Sequence, residues 1–306
     1  MSKNITRRKF FSHAAATASG LALGSDLIDF SGTGETLDEA TDLMDEVLKY
    51  RKIDSHAHVY FTPDSPEIQI DFADRLGIEK LVISRPMSPG SKGLPEEFVR
   101  CNNLILGAVS KFPDRFIGQA TLNPTYLQES MDEIDRCMDH GMVGLKLYNH
   151  VKLSDPLFYP IIEKFIDLKM IILMHMGIGR SRVVLDAREP KNVSTPEDFV
   201  IAAERFPEAM FQLAHLGGGG DWLDACKAVK PYSNVYVDLS GSNNEADIIP
   251  FALEQLGEDR LLFGCDNSFY QGVGHVLAAE LNENQRKKIF FDNYNSILKK
   301  SGKNVD

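Results

Sequence analysis

Cysteine is scarce in this chain of 306 residues, which contains four: Cys101, Cys137, Cys226 and Cys265. They are widely spaced, and no two of them form a Cys-x-x-Cys pair. Small domains held together by disulfides, and zinc ribbons, need paired or clustered cysteines. The sequence therefore argues against both classes of protein.

The chain also lacks an excess of positive charge. Lys and Arg number 33 against 44 Asp and Glu, which gives a formal net charge of -11. Such a chain repels phosphate backbones, so general nucleic-acid binding is not expected. Beyond the N-terminus, no apolar run approaches the roughly 20 residues of a membrane-spanning helix. With 43% hydrophobic and 25% charged residues, the composition is typical of a globular protein.

The N-terminus has the layout of an export signal. Arg7, Arg8 and Lys9 precede Phe10-Phe11, and a weakly apolar stretch rich in Ala and Gly follows as far as Gly24. Basic, apolar and small-residue zones in this order favour a secretion signal over an ordinary basic segment. Paired arginines before Phe-Phe resemble the twin-arginine signal, whose translocase exports folded proteins. We therefore predict a signal over residues 1–24, the twin-arginine translocase as a partner, and a periplasmic or otherwise exported protein.

Residues 25–50 form an acidic, polar segment, after which short apolar runs alternate with longer amphipathic stretches. Eight of these runs are strand candidates, at residues 52–58, 80–84, 116–120, 144–147, 170–174, 210–214, 235–239 and 261–264. Strands that alternate with helices predict a parallel α/β sheet, and continuous apolar runs indicate burial on both faces. Because no Gly-x-Gly-x-x-Gly motif follows the first strand, we predict a (β/α)8 TIM barrel over residues 51–306 rather than an open sheet.

Polar side chains end several predicted strands, at the face of a TIM barrel where active sites lie. The first strand ends in His56-Ala-His58, and strand alternation points both imidazoles to the same side. His175, His215 and Asp266 end the fifth, sixth and eighth strands. Burying four imidazoles and a carboxylate together is costly unless a metal pairs them. The joint pattern predicts a metal site.

These motifs resemble those of the amidohydrolase superfamily. The run from Ile53 to His58 is similar to its opening strand, and the sequences around His175, His215 and Asp266 are similar to its fifth, sixth and eighth strand ends. Residues 287–295 resemble the closing helix of its amidohydrolase-related branch, which includes aminocarboxymuconate-semialdehyde decarboxylase. The resemblance covers about residues 52–300 and is specific for the superfamily and the metal site, but not for the substrate.

The resemblance implies roles for these side chains. His56, His58 and His175 would hold a divalent cation, and Asp266 would be a further ligand that, in hydrolytic members, also takes the proton from the attacking water. His215 would transfer protons or polarise the substrate. Zinc is the leading expectation, because it suits imidazole-rich sites with one carboxylate, and manganese and iron are the alternatives.

Lys146, on the fourth predicted strand, bears on the number of ions. Binuclear members of the superfamily carry a carboxylated lysine there that bridges two cations. Members with one metal often have the same lysine, which is then a buried cation facing a carboxylate of the site or of the substrate. We favour one ion, because charge neutralisation suffices to explain a buried lysine.

Three arginines are predicted to lie in loops that define the substrate: Arg85 after the second strand, and Arg180 and Arg182 after the fifth. Arginine binds carboxylates through two parallel hydrogen bonds, so an acidic substrate is one interpretation. Exposure to solvent, or pairing with Asp186 and Glu189, explains them equally well.

The main prediction is a metal-dependent hydrolase of a small amide, ester or lactone, because the metal, Asp266 and His215 serve that reaction directly. The alternative is a non-oxidative decarboxylase, a carboxy-lyase of an unsaturated or aromatic acid that uses the same ligands. A non-catalytic binding protein is least favoured, because every ligand position is retained. A small molecule is the expected partner, with a carboxylate as one option, and a homodimer is left open.

Overall fold

The computed structural model describes residues 43–88, 90–176, 192–216, 222–241 and 245–306. The predicted export signal, most of the acidic segment, and both Arg180 and Arg182 lie outside these residues. No helix of the described part of the chain is long and apolar enough to cross a membrane.

Eight parallel strands form the centre of the described chain. They are β1 (Ile53–His58), β2 (Lys80–Ser84), β3 (Phe116–Gly118), β4 (Gly144–Leu147), β5 (Ile171–Met174), β6 (Met210–Leu213), β7 (Val235–Asp238) and β8 (Leu261–Leu262). Strands β1 to β3 pair in chain order, and so do strands β4 to β8. Each predicted strand is present, although β3 and β8 end two residues earlier than predicted.

Two sets of backbone contacts join these sheets into a closed barrel. Ala120, just after β3, forms a parallel bridge with Leu145 of β4. On the other side, the Ser55 amide donates a hydrogen bond of 2.9 Å to the Phe263 carbonyl oxygen, which pairs the end of β8 with β1. The predicted (β/α)8 TIM barrel is confirmed.

Helices separate the strands along the chain. They are α1 (Leu43–Leu48), α2 (Ser65–Arg75), α3 (Pro95–Lys111), α4 (Leu127–Asp139), α5 (Tyr159–Leu168), α6 (Pro196–Arg205), α7 (Trp222–Val229), α8 (Ile248–Leu256), α9 (Phe269–Ala278), α10 (Glu283–Lys287) and α11 (Asn293–Lys300). Local sequence explains several of their starts. At α6, for example, Pro196 has a backbone suited to the first turn, and the Asp198 carboxylate accepts a hydrogen bond of 2.8 Å from the Thr195 amide.

The N-terminal ends of the strands form an apolar layer that α11 covers. Ile53, Ile171 and Met210, which begin β1, β5 and β6, belong to one buried cluster with Tyr294 and Leu298 of α11. His56 and His58 lie at the other end of β1, and His175 and His215 follow the ends of β5 and β6. The fold therefore leaves the C-terminal ends of the strands as the place for chemistry.

The end of the acidic segment packs against the barrel. Val47 of α1 and Tyr50 belong to the same buried core as the helices around the strands. The ammonium group of Lys52, which is buried, donates to the carbonyl oxygens of Val47 and Tyr50 at 2.5 and 2.8 Å. These contacts satisfy carbonyl groups at the end of α1 that would otherwise lack a partner.

Candidate active site

Several predicted site residues meet at the C-terminal end of the barrel. His58 Nε2 lies 3.0 Å from Asp266 Oδ1, and His56 Nε2 lies 3.8 Å from the same oxygen. Ligand atoms of these three residues are all within 4.8 Å of one another. His215 is adjacent, with its Nδ1 3.7 Å from Asp266 Oδ2. The structure thus brings the imidazoles of His56 and His58 and the carboxylate of Asp266 together, three of the five groups in the predicted cluster.

The backbone between β8 and α9 brings Asp266 to this point. The Asp266 amide donates a 2.7 Å hydrogen bond to the His56 carbonyl oxygen, and Asn267 bonds both the amide and the carbonyl of His58. Asp266 and Asn267 have φ values of 46° and 63°, a left-handed conformation that is uncommon outside glycine. At Gly264, a Cβ would lie 3.2 Å from the Cβ atoms of His56 and Asp238, which is tighter than ordinary van der Waals contact, so a side chain there would press on both residues.

Burial and neighbouring charge set the protonation of these groups. Burial, together with the nearby His56, lowers the pKa of His215 to about 3. Burial also lowers the pKa of His58. Burial alone would raise the pKa of Asp266, but the hydrogen bond with His58 and the nearby His56 bring it well below its usual value. Neutral imidazoles beside an ionised carboxylate are the protonation states that metal ligands need.

Lys146 is wholly buried on β4, and its Nζ lies 3.0 Å from His56 Nε2. Burial lowers its pKa to about 8, against the opposing effect of Asp266 and Asp238. An ammonium group can only donate, so His56 Nε2 accepts this hydrogen bond through its lone pair. The imidazoles of His56 and His58 with a carboxylate oxygen of Asp266 form a donor set that fits a divalent cation.

His175 stands apart from this group. Among the described residues, the ligand clusters contain His56, His58 and Asp266, or His56, His215 and Asp238, but not His175. Its Nδ1 lies 2.9 Å from His215 Nε2 instead. Its role as a metal ligand stays a prediction.

Asp238, the last residue of β7, is a polar residue of the site that the sequence analysis missed. It is wholly buried, and its Oδ2 lies 3.0 Å from His56 Nδ1. The signal was present, because Val-Tyr-Val-Asp238 ends an apolar run in a carboxylate, as the run before Asp266 does. No motif of known chemistry accompanied it.

Arg85, at the end of β2, lies at the edge of the site. Its guanidinium carbon is 5.0 Å from the centre of the Tyr60 ring and 5.3 Å from that of Phe61. The Tyr60 ring is in turn 6.5 Å from the ring of His58. Burial and the nearby Asp266 raise the pKa of Tyr60, and Arg85 opposes them, so both charges act on one phenol. The buried Nε of Arg85 has no hydrogen-bond partner among the described residues.

Comparisons with known proteins agree with this architecture. The sequence matches the family described as Amidohydrolase over residues 53–293. It is 24% identical over 272 residues to 2-amino-3-carboxymuconate-6-semialdehyde decarboxylase of Dictyostelium discoideum. The alignment covers 76% of this chain and 73% of that protein.

Solved structures show the same fold. The structure of 2,6-dihydroxybenzoate decarboxylase from Rhizobium has a TM-score of 0.64 at 18% identity, covering 83% of this chain and 100% of that one. A second structure is that of 5-carboxyvanillate decarboxylase from Novosphingobium aromaticivorans with bound manganese. It has a TM-score of 0.65 at 18% identity, and the match covers 82% of this chain and 97% of that one.

Proposed function

Since this chain belongs to the amidohydrolase family, we propose that it is a metal-dependent decarboxylase of a small unsaturated or aromatic carboxylic acid. The observation that carries the proposal is Arg85 at the edge of the site, whose buried Nε has no hydrogen-bond partner in the part of the chain that the structure describes. A carboxylate would supply that partner through a charge-assisted hydrogen bond. The three similar proteins described above support the same reaction, because each of those three is named as a decarboxylase. These names favour decarboxylation, the alternative reaction predicted from the sequence, over hydrolysis of an amide, ester or lactone.

His56, His58 and Asp266 would hold the cation, through two Nε2 atoms and one carboxylate oxygen. When bound, a divalent cation orients a substrate's oxygens and stabilises negative charge on them. Manganese becomes a candidate equal to zinc, since it is bound in the similar 5-carboxyvanillate decarboxylase. One ion is proposed rather than two, because the ammonium group of Lys146 beside His56 already places positive charge against the site's carboxylates.

Decarboxylation replaces the carboxylate on a carbon by a hydrogen: R–CO2⁻ and H⁺ give R–H and CO2. The low pKa values of His215 and Asp266 leave both without an acidic proton at rest. One of them would first take a proton from a hydroxyl group of the substrate or from a water. The same proton, passed to the carbon from which CO2 leaves, restores the resting side chain, and the deprotonated hydroxyl or hydroxide left behind takes up the H⁺ of the equation from solvent.

A product assay distinguishes the two reactions. Metal-loaded protein is incubated with aromatic and unsaturated carboxylic acids, and separately with esters, lactones and amides, while CO2 and hydrolysis products are measured. We expect CO2 release, with deuterium at the vacated carbon when the reaction runs in D2O. Hydrolysis without release of CO2 from any acid would contradict the proposal and restore the hydrolase.

Arg85→Gln is expected to raise KM for the acid about 10- to 100-fold, the effect of losing one charge-assisted hydrogen bond, with a smaller change in kcat. Arg100→Gln is the matched control, because Arg100 is exposed but stacks on the same Phe61 ring at 4.9 Å. Steady-state kinetics on the identified acid measures both variants. Equal KM changes in the two would show that Arg85 does not bind the substrate.

We further propose export by the twin-arginine route. Replacing Arg7 and Arg8 by lysine should leave folded, active protein in the cytoplasm, because the translocase reads the arginine pair. Cell fractionation measures the distribution, and an unchanged distribution outside the inner membrane would refute this route.

A further inference from the structure

We propose that Asp238 and Ser240 act as positioning residues that decide which ring nitrogen carries the proton in three histidines of the site. The histidines are His56, His215 and His175. The inference rests on the direction of hydrogen bonds among buried groups and does not depend on the reaction catalysed.

The network begins at the buried carboxylate of Asp238, which accepts five hydrogen bonds. Its Oδ1 accepts from the amide of His215 at 3.0 Å, and from the amide and the hydroxyl of Ser240 at 3.2 and 2.6 Å. Its Oδ2 accepts from His56 Nδ1 at 3.0 Å and from Gln212 Nε2 at 2.9 Å. The N–H groups of backbone and side-chain amides can only donate, so the carboxylate is an acceptor on both of its oxygens.

The tautomer of the His56 ring follows first from these contacts. Its Nδ1 must carry a hydrogen, because it faces the Asp238 carboxylate. Its Nε2 must then be bare in the neutral ring, and the Lys146 ammonium group donates to it at 3.0 Å. Two independent contacts, one on each nitrogen, therefore give the same tautomer.

Ser240 fixes the protonated nitrogen of His215 in the same way. Its hydroxyl has one hydrogen, which it donates to Asp238 at 2.6 Å. It can then only accept from His215 Nδ1, which lies 2.9 Å away. His215 therefore carries its hydrogen on Nδ1 and has a bare Nε2. The amide of His215, held by Asp238, also supports the left-handed backbone of that residue at φ 63°.

The last link is His175. Its Nδ1 lies 2.9 Å from the bare Nε2 of His215, so Nδ1 must donate. The Nε2 of His175 is consequently bare. One carboxylate thus orders the protons of rings on β1, after β5 and after β6.

Nuclear magnetic resonance of the histidine rings tests the network in the metal-free full-length protein. Long-range correlations between ring protons and 15N nuclei identify the protonated nitrogen of each labelled histidine. In the wild type we expect Nδ1–H in all three rings. Ser240→Ala should abolish this preference in His215 and His175 but leave His56 unchanged, and Ser240→Thr, which keeps the hydroxyl, should restore it. Unchanged tautomers in Ser240→Ala would overturn the proposal.

Zn²⁺ affinity of the same proteins tests the contact with His56. A carboxylate that orients a ligating histidine typically contributes 10- to 100-fold to metal affinity, so Asp238→Asn should weaken Zn²⁺ binding by about that factor. Ser240→Ala should weaken it less, because the Asp238–His56 contact remains. This measurement also rests on the proposed metal site. Wild type that binds no Zn²⁺ would count against that site, whereas equal affinity in wild type and Asp238→Asn would overturn only the role of Asp238. If Asp238→Asn does not fold, the Ser240 variants still decide the proposal.

Discussion

A chain carrying both His56→Ala and His58→Ala is expected to bind no divalent metal and to show no measurable turnover. The two substitutions remove both imidazoles of the three-residue cluster with Asp266, and a single carboxylate oxygen holds a transition metal poorly. The barrel should still fold, because the apolar layer under α11 lies at the opposite end of the strands. Stability should nevertheless fall by about 1–3 kcal/mol, since Asp238 loses one of its buried hydrogen bonds.

Metal analysis of the purified proteins and thermal unfolding followed by circular dichroism measure the two effects. His140→Ala is the matched control, because that imidazole is exposed at the end of α4. Wild-type protein should retain about one equivalent of metal. Full retention by the double variant would refute the proposed ligands. Two equivalents in the wild type, one of them lost in Lys146→Ala, would favour the bridging lysine.

Asp266→Asn is expected to lower turnover by about 10²- to 10⁴-fold while the protein keeps its fold, which is the range that a general acid–base group contributes. Asparagine preserves the shape and one oxygen of the side chain. It cannot accept a proton as the ionised carboxylate beside His58 can. Turnover on the identified acid and metal content are measured together, so that loss of proton transfer is separated from loss of the ion.

Asp139→Asn, an exposed carboxylate at the end of α4, controls for the change of charge. Near-wild-type turnover in Asp266→Asn would show that this carboxylate takes no part in proton transfer. A variant that loses turnover and metal in parallel would assign it to metal binding alone.

The sequence predicts the strands well, because strands buried on both faces are continuous apolar runs. It overestimates β8, where the chain leaves regular geometry after Leu262 to reach the left-handed Asp266. This change of backbone conformation depends on contacts with β1, which is distant in the sequence, so the residues around β8 do not reveal it.

In the site, too, local patterns could be predicted from the sequence, whereas contacts between distant residues could not. His56 and His58 could be paired from the sequence, because alternation within one strand is a local property. The contact between His175 and His215 could not, because it depends on the distance and ring orientation between neighbouring strands. Asp238 was missed for a related reason: its importance comes from five donors that converge from different parts of the chain.

The pairing of β1 with the end of β8, which closes the barrel, has a consequence for folding during synthesis. Ser55 and Phe263 are 208 positions apart, and they lie beside the residues that bring Asp266 to His56 and His58. During synthesis the two histidines leave the ribosome long before the aspartate, and contacts of such long range form slowly. The enzyme should therefore gain its complete ligand set only when the last strand docks. Nascent chains that end before residue 261 should bind metal weakly, while chains that extend past α11 should bind it fully.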